Sequence, residues 1–317
     1  MAESPIISII APIFNEFENI PELYRRIKDV LDTSEDPWEL LMVDDGSTDG
    51  STNLIRDYAA KDPRVVPVIF ARNFGHQIAV TAGLDFARGE AVVIIDSDLQ
   101  DPPEVIIDLI NKWREGYEVV FAVRTEREGE TWFKEFTASL FYRIIYRITD
   151  VNIPLDTGDF RLLDRKVVNV MGQMRERHRF LRGMSVWVGF KQTGVPYKRA
   201  ARLAGETKYP IKKMVKFATD AITSFSYFPL QLAMYVGFIS AGISILVIPV
   251  VIILRLAGSQ AFFGQASTLI AVLFLGGVQL ISLGILGEYI GRIYDEAKGR
   301  PLYIISEGPS QDINDKG

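Results

Sequence analysis

The sequence predicts an α/β fold, a doubly wound and mostly parallel sheet, followed by a hairpin of two membrane-spanning helices. Three apolar runs each end in acidic or amide side chains, and each is followed by a helix-like segment. Such alternation is typical of a parallel sheet with a ligand site along one edge. Two later stretches, residues 221–254 and 256–287, contain no charged residue. A bilayer core needs about 20 mostly apolar residues per helix, so both stretches are long enough to span one.

Polar side chains follow the first two predicted strands, residues 6–11 and 40–43. The carboxyl ends of parallel strands meet at one edge of a sheet, so we expect these side chains to lie together. A helix start needs one capping residue, so two adjacent acids after an apolar strand indicate more than a cap. Ser47, Thr48 and Asp49 are expected as caps for the next helix, and for Ser47 and Thr48 capping is favoured over ligand contact. The polar candidates for ligand binding here are Asn15, Glu16, Asp44 and Asp45, and Pro12 lies at the end of the first strand beside them.

The third predicted strand, residues 92–95, ends in two carboxylates one residue apart, Asp96 and Asp98. Side chains alternate between the faces of a strand, so both carboxylates are expected to point the same way. Two hard oxygen ligands at a strand tip suit Mg²⁺ or Mn²⁺, which keeps other coordination positions for water and substrate phosphates. The alternative is a solvated turn before Pro102 and Pro103. The acidic ends of the neighbouring strands favour the metal site.

Composition argues against several other classes of protein. The 317 residues are enough for one large domain or two smaller ones. The absence of cysteine excludes disulfides and thiolate metal sites. The two histidines, His76 and His178, argue against a zinc cluster. A net charge of −5 gives no case for binding nucleic acid.

Two membrane spans are predicted at about residues 230–256 and 267–291, joined by a short loop at residues 257–260. A hairpin buried in a soluble core is the alternative, and two charge-free runs of this length argue against it. Basic residues flank the pair of spans on the outside, whereas the loop has only Arg255 at its edge. By the positive-inside tendency, both termini and the N-terminal domain are expected in the cytoplasm. The flanking basic residues are Lys208, Lys212, Lys213, Lys216, Arg292, Lys298 and Arg300.

Two further segments are expected at the membrane surface. Residues 132–147 and 211–228 space apolar and basic side chains in helical steps, as do helices that lie among lipid headgroups. An ordinary surface helix is the equal alternative for 132–147, whereas 211–228 runs directly into the first span. In the second span, Gly287 and Gly291 allow close helix contact. That contact is either with the first span or with another subunit, in a homo-oligomer through the transmembrane helices.

The motifs together resemble glycosyltransferase family two. Within that family they are similar to the polyisoprenyl-phosphate branch, which includes dolichol-phosphate mannosyltransferases and bacterial undecaprenyl-phosphate glucosyltransferases. The likeness runs from about residue 6 to residue 217, and the two spans fit a bacterial subgroup. The resemblance implies a GT-A fold, a nucleotide-sugar donor and a divalent metal, in an enzyme of the bacterial inner membrane. Its motifs are Pro12 with Asn15 and Glu16, then residues 43–47, 72–75 and 96–103.

The resemblance also implies roles for individual residues. Asp159 matches the family's catalytic aspartate, and Asp98 with Asp96 its metal site. Residues 199–209 resemble the family's mobile Arg-x-x-Gly-x-Ser-Lys-Tyr loop, with Thr207 in place of serine. Arg202 and Lys208 of that loop would meet phosphate oxygens. The implied catalytic residues are therefore Asp98, Asp159, Arg202 and Lys208. The nucleotide sugar would be held by Pro12, Asn15, Glu16, Asp44, Asp45, Asp96 and Gln100.

The chain is expected to divide into four parts. Residues 1–210 form the cytoplasmic GT-A domain, which includes the interface helix at about 132–147. Residues 211–228 form the juxtamembrane helix, residues 229–292 hold the two spans, and residues 293–317 form a cytoplasmic tail.

The expected activity is inverting, metal-dependent transfer of a hexose from a nucleotide sugar to undecaprenyl or another polyprenyl phosphate. UDP-glucose is the first expected donor, and other UDP- or GDP-sugars stay open. One alternative is a processive polysaccharide synthase of the same family, although residues 173–177 only poorly match its Gln-x-x-Arg-Trp motif. The other is a non-catalytic membrane scaffold with a GT-A domain. The intact acidic and basic motifs argue against a scaffold.

Overall fold

A mixed eight-stranded sheet organises the N-terminal part of the chain. The computed structural model describes residues 5–125, 157–198, 226, 228–257 and 265–309. The strands are β1 (Ile7–Ile13), β2 (Trp38–Asp44), β3 (Val65–Phe70), β4 (Ala91–Ile94), β5 (Val119–Arg124), β6 (Thr157–Asp164), β7 (Gln192–Tyr197) and β8 (Ile305–Glu307).

Helices follow most strands and cover both faces of the sheet. A short 3₁₀ turn, Pro103–Val105, precedes α4. The helices of the domain are α1 (Ile20–Leu31), α2 (Ser51–Lys61), α3 (His76–Phe86), α4 (Ile106–Arg114), α5 (Arg165–Gln173) and α6 (Leu181–Trp187).

The strand order is β7-β5-β6-β4-β1-β2-β3-β8. The central strands β4, β1, β2 and β3 are parallel, as is the pair β5 and β7. Strand β6 is antiparallel to both β4 and β5, and β8 is antiparallel to β3. The predicted α/β, doubly wound, mostly parallel architecture is therefore confirmed. The antiparallel positions of β6 and β8 were not part of the prediction.

Alternate residues of each central strand enter two separate cores. In β1, Ile7 and Ile9 pack into the core under α1, α2 and α4, while Ile10 packs into the core under α3, α5 and α6. The first core contains one stripe of α1, namely Ile20, Leu23, Ile27 and Leu31. A strand covered by helices on both faces is apolar at nearly every position, which explains the continuous apolar runs in the sequence.

Two long apolar helices follow the domain, α7 (Phe228–Leu256) and α8 (Gln265–Ala297). Each contains a stretch long and apolar enough to cross a membrane, Phe228–Leu254 and Ile270–Ala297, and neither stretch is buried inside the protein. The two helices contact each other, and the hydroxyl of Tyr289 on α8 donates to the carbonyl of Ser226, at 2.7 Å. The predicted spans, 230–256 and 267–291, lie within these helices.

The C-terminal end of the chain returns to the sheet. Helix α8 continues to Ala297, six residues beyond the predicted end of the second span, and β8 then pairs with β3. Part of the expected tail, 293–317, thus belongs to the sheet of the N-terminal domain. The predicted interface helix 132–147, most of the juxtamembrane segment 211–228 and the loop at 199–209 lie outside the described residues.

Candidate functional site

The polar side chains predicted at the strand ends lie along one edge of the sheet. Strands β1, β2 and β4 are parallel and in register, so the residues after Ile13, Asp44 and Ile94 emerge at the same edge. The structure therefore brings together the three acidic or amide clusters that follow these strands.

Both carboxylates at the end of β2 are buried and already engaged by the backbone. Asp44 Oδ1 accepts the Ser47 amide N–H at 2.9 Å. Asp45 accepts two amide N–H groups of the next loop, Phe74 at 2.6 Å and Gly75 at 2.9 Å. Burial raises the pKa of Asp45, although these two hydrogen bonds oppose the shift. Asp45 therefore holds the loop at residues 72–75 against the end of β2.

Gly46 is required for this close approach. Its φ is +74°, in the left-handed region, and a Cβ there would lie 2.6 Å from the Arg72 carbonyl carbon and 2.7 Å from the Asn73 nitrogen. Only glycine meets both conditions without strain.

The loops after β1 and β2 are joined by hydrogen bonds. The Asn15 N–H donates to Ser47 Oγ at 2.9 Å, and Asn15 Oδ1 accepts the Thr48 N–H at 2.8 Å. The prediction that Ser47 and Thr48 cap the next helix was wrong, because α2 begins only at Ser51 and its N-cap residue is Gly50. The two residues instead bind Asn15, which has a positive φ of 56°.

The remaining residues that were expected to bind the nucleotide sugar lie at the same edge. Pro12 is buried in β1 opposite Val43, and the half-buried Glu16 accepts the Asn19 side-chain amide at 2.5 Å. The Gln100 N–H donates to Asp98 Oδ1 at 3.1 Å, which closes a tight turn after β4. Leu99 lies inside that turn with a positive φ of 59°.

Asp96 has an unsatisfied acceptor. Its Oδ1 is buried and accepts no hydrogen bond within the part of the chain that the structure describes. Burial raises the pKa of Asp96 to about 6, and the charges of Asp159, Asp101 and Asp98 add to this, while His76 opposes it. A carboxylate oxygen that lacks a donor among other carboxylates is suited to a cation.

The carboxylate oxygens of Asp96 and Asp98 are suitable ligands for a hard divalent ion. In the described residues, no group of three or more acidic or histidine side chains is arranged to hold a metal. Mg²⁺ is usually bound by one or two carboxylates together with substrate phosphates. Asp98 and Asp96 would be the protein's ligands in such a site.

Strand β6 brings Asp159 to the same edge. It runs antiparallel to β4, with Ile94 opposite Arg161. Continuing this register two residues beyond the end of β4 sets Asp96 opposite Asp159, and His76 Nε2 lies within 3.6 Å of both carboxylates. Burial of Asp159 is nearly complete, with 7% of the residue exposed. The register thus joins a residue from the second half of the domain to the acidic end of β4.

Three side chains hold the Asp159 carboxylate. Arg182 Nε donates to Oδ1 at 2.6 Å. Gln77 Nε2 donates to Oδ2 at 3.1 Å, and His76 Nε2 lies 3.2 Å from the same oxygen. Burial alone would raise the pKa of Asp159, but the charge of Arg182 and the hydrogen bonds from His76 and Arg182 hold it well below its ordinary value. Asp159 is therefore a carboxylate at neutral pH.

His76 links Asp159 with Asp96. Its Nε2 lies 3.6 Å from Asp96 Oδ1. Burial lowers the pKa of His76, but the hydrogen bond with Asp159 and the charge of Asp96 outweigh burial and raise it to about 9. Because 44% of the His76 side chain is exposed, solvent screens part of its attraction to the two carboxylates.

His76, Gln77 and Arg182 were not predicted as site residues. His76 and Gln77 directly follow the loop motif at residues 72–75, and their position at the start of a helix was the available signal. Arg182 carries no such signal, because it reaches Asp159 only through the packing of α6. The predicted phosphate-binding residues Arg202 and Lys208 lie outside the described residues.

Comparison with known proteins identifies relatives over almost the whole chain. The profile described as Glycosyl transferase family 2 matches residues 8–172. An uncharacterized glycosyltransferase of Bacillus subtilis, YkcC, is 53% identical over 95% of this chain and 93% of its own. A bactoprenol glucosyl transferase of Shigella phage SfII is 44% identical, over 95% of this chain and 97% of the relative.

A prophage bactoprenol glucosyl transferase homolog of Escherichia coli is 43% identical over 94% of this chain and 98% of the relative. Among solved structures, a glucosyl-3-phosphoglycerate synthase of Mycobacterium tuberculosis has a TM-score of 0.46 at 20% identity, covering 69% of this chain and 77% of its own.

Proposed function

Because the chain belongs to glycosyltransferase family 2, we propose that it transfers a hexose from a nucleotide sugar to a polyprenyl phosphate. The carrying observation is the ionised, buried Asp159 beside Asp96 at the sheet edge. Relatives 43–44% identical over 94–95% of the chain bear the name bactoprenol glucosyl transferase, which supports a prenyl acceptor and makes UDP-glucose the first donor to test.

The donor would lie across the ends of β1 and β2. Asn15 and Glu16, with Pro12 as an apolar wall, would contact the base and ribose. Asp44 would act indirectly, because it is fully buried and both of its oxygens already accept hydrogen bonds. Asp45 would contribute indirectly, because both of its oxygens already hold the loop at residues 72–75. Gln100 lies in the turn that would border the diphosphate.

Asp98 and Asp96 would hold Mg²⁺ or Mn²⁺. When bound, the cation would neutralise the donor diphosphate and stabilise the departing nucleoside diphosphate. The orphaned Asp96 Oδ1 supports this assignment. Without a cation, the donor phosphates would face Asp96 and Asp98 directly and be repelled.

The transfer is a single displacement. A phosphate oxygen of the acceptor attacks the anomeric carbon, and the bond to the nucleoside diphosphate breaks with its electron pair on the leaving oxygen. Attack opposite the leaving group inverts the anomeric centre. Asp159 would orient the sugar or the acceptor, since a carboxylate with a depressed pKa is a weak base. Arg202 and Lys208 would offset its charge toward the acceptor phosphate.

The acceptor would reach the site from the cytoplasmic face of the bacterial inner membrane. The two apolar helices, α7 and α8, are long enough to span it. Nucleotide sugars are cytoplasmic metabolites, and the basic flanks of the helices favour the same side for the catalytic domain.

The test is transfer by the full-length protein in nanodiscs that contain undecaprenyl phosphate. Radiolabelled UDP- and GDP-sugars are offered one at a time, with Mg²⁺, with Mn²⁺ or with EDTA. We expect one lipid-linked hexose per acceptor, no product in EDTA, and an anomeric configuration opposite to the donor's by NMR. A polymeric product would indicate a processive synthase. No product with any donor, while Mg²⁺-dependent binding also fails, would indicate a scaffold.

A further inference from the structure

The segment at residues 295–307, which we name the brace, returns from the end of α8 to the catalytic domain. Its last part, β8, is the edge strand and pairs with β3, with Ile305 opposite Phe70. The Ala71 N–H donates to the Ile304 carbonyl at 2.9 Å, and Arg56 pairs with Glu307 at 2.8 Å. The brace therefore completes the sheet on one side.

The middle of the brace contacts the far end of α3. The Tyr303 ring stacks on Phe70 with centroids 5.3 Å apart, and its hydroxyl donates to Asp85 Oδ2 at 2.8 Å. Arg175 Nη1 donates to both oxygens of the same carboxylate at 2.9 Å. Asp85 is near the C-terminus of α3, the helix whose first two residues are His76 and Gln77.

The start of the brace contacts the loop at residues 174–180. The Arg177 amide N–H donates to Glu296 Oε1 at 2.7 Å, and its guanidinium donates to the Arg300 carbonyl. His178 Nε2 lies 3.6 Å from Asp295 Oδ2. Within the loop, the buried Arg179 donates to the carbonyls of Met171 and Met174, so the loop is held firmly to the end of α5.

The contact of the brace with α3 and its contact with the loop at residues 174–180 both lead to the Asp159 carboxylate. Helix α3 presents His76 and Gln77 to Asp159, and the loop runs directly into α6, which presents Arg182. The Gln77 side-chain oxygen also accepts the Leu181 N–H at 3.0 Å, which joins the two routes at their ends. The groups that hold Asp159 are thus tied, through α3 and through the loop, to the end of α8.

We propose that the brace is a positioning element that sets the height of Asp159 above the membrane. The proposal rests on the proposed function, in which the acceptor is a lipid phosphate. The bilayer fixes the depth of a lipid phosphate, whereas a catalytic domain on a loose tether has no fixed height. A misplacement of about 1 Å can cost about a hundredfold in rate, so such a reaction requires a rigid link between membrane helix and site. The brace supplies that link.

The variants Glu296→Ala and Tyr303→Phe, alone and combined, test the proposal in full-length protein. Glu296→Ala removes the acceptor for the Arg177 N–H, and Tyr303→Phe removes the bond to Asp85 but keeps the ring. Each protein in nanodiscs is assayed with two acceptors, undecaprenyl phosphate in the bilayer and a short, water-soluble prenyl phosphate. The soluble acceptor diffuses to the site from water, so its use does not depend on the height of the site.

We expect the double variant to lose about tenfold in kcat/KM with the bilayer acceptor, equivalent to about 1.4 kcal/mol. Its kcat/KM with the soluble acceptor and its KM for the donor should match the wild type. The single variant Glu296→Gln keeps an acceptor oxygen for the Arg177 N–H, so it should retain most of the activity that Glu296→Ala loses. The matched control is Arg25→Ala, which removes an exposed, ion-paired arginine from α1, remote in sequence from the brace. This control should leave kcat/KM unchanged with both acceptors.

Equal losses with both acceptors would overturn the proposal, since they would mean that the brace only supports folding. Unchanged kinetics with both acceptors would overturn it as well. A failure of the proposed function is distinguishable, because the wild type would then glycosylate neither acceptor.

Discussion

At the scale of single residues, the charge state of Asp159 decides what it can do. Arg182 and His76 stabilise the carboxylate, so its pKa lies well below the ordinary value. A group with a depressed pKa stays ionised as pH falls toward that lower value, and it takes up a proton only below it. Asp159 is therefore charged throughout the neutral range. That permanent charge supports the orienting role that we propose for Asp159.

We predict that Asp159→Asn loses about a hundredfold or more in transfer, the scale of a misplaced reactant. A phosphate monoester has its second pKa near 6, so from about pH 6 to pH 8 the acceptor becomes a dianion that needs no base. If Asp159 mainly orients, the variant should recover little activity over this range. The measurement is a pH–rate profile of the variant against wild type. Strong recovery at the alkaline end would mean that deprotonation is its main role.

A second residue-scale prediction concerns the metal. Asp98→Asn should reduce transfer by at least about a hundredfold, because mutating even the outer-shell partners of metal ligands typically costs about 10- to 100-fold. The protein should still fold, since Asp98 is only half-buried and asparagine keeps a side-chain oxygen that can accept the Gln100 N–H. Transfer is measured with titrated Mg²⁺ and Mn²⁺. The control is Asp108→Asn, an exposed aspartate on α4, which should behave as wild type. Full activity of Asp98→Asn, or of wild type in EDTA, would remove the metal from the mechanism.

At the scale of elements, the loops after β1, β2 and β3 act as one unit. Asn15 binds the loop after β2, and Asp45 binds the loop after β3. Gly46 permits the close contact between the last two. A disturbance of one loop is therefore expected to reach the donor site as a whole.

We predict that Gly46→Ala raises the KM for the donor about tenfold, a loss of about 1.4 kcal/mol. It should also destabilise the protein by more than the roughly 1–2 kcal/mol that a left-handed backbone costs alanine, because the Cβ overlaps the backbone of the next loop. Thermal unfolding and donor titration give both values.

Gly116→Ala is the matched control for this prediction. Gly116 also has a positive φ, +91°, but a Cβ there would meet nothing within 4 Å. It should lower stability by the backbone cost alone and leave donor KM unchanged. An equal rise in KM for both variants would show that the contact with residues 72 and 73 is irrelevant to the donor.

At the scale of the whole molecule, the chain leaves the catalytic domain, passes through two long apolar helices and returns to the domain. Because β8 pairs with β3, the end of α8 lies beside the catalytic domain. Tyr289 near that end bonds Ser226, just before α7, so the start of α7 lies there too. If both helices cross a bilayer, the domain and both outer helix ends share one side of it.

We predict that a reporter fused at Ser259 reads as extracytoplasmic and that one fused at Gly317 reads as cytoplasmic. The charge asymmetry around the spans and the return of β8 to the domain both give this arrangement. Paired alkaline phosphatase and fluorescent protein fusions in cells make the measurement. A cytoplasmic signal at Ser259 would mean that the apolar helices do not cross the membrane.

The sequence by itself determined the features that depend on local pattern. Apolar runs such as residues 92–95 indicated buried parallel strands, because both faces of those strands are covered. The acidic residues Asp96 and Asp98 marked the edge where strands end, because parallel strands present their carboxyl ends together. The two long apolar helices were evident from charge alone, since the composition needed to span a membrane is independent of the fold.

Only the tertiary structure decided which distant residues meet. Asp159 faces Asp96 because β6 runs antiparallel to β4 in one register, and register depends on packing across the sheet rather than on any local pattern. Arg182 joins them because its helix, α6, packs into the core that also contains the apolar residues of β4. The same reason explains the return of β8 to β3, across more than two hundred residues of chain. Local periodicity depends on neighbouring residues and can be seen in the sequence. Strand pairing and helix docking depend on how much apolar surface the whole chain buries.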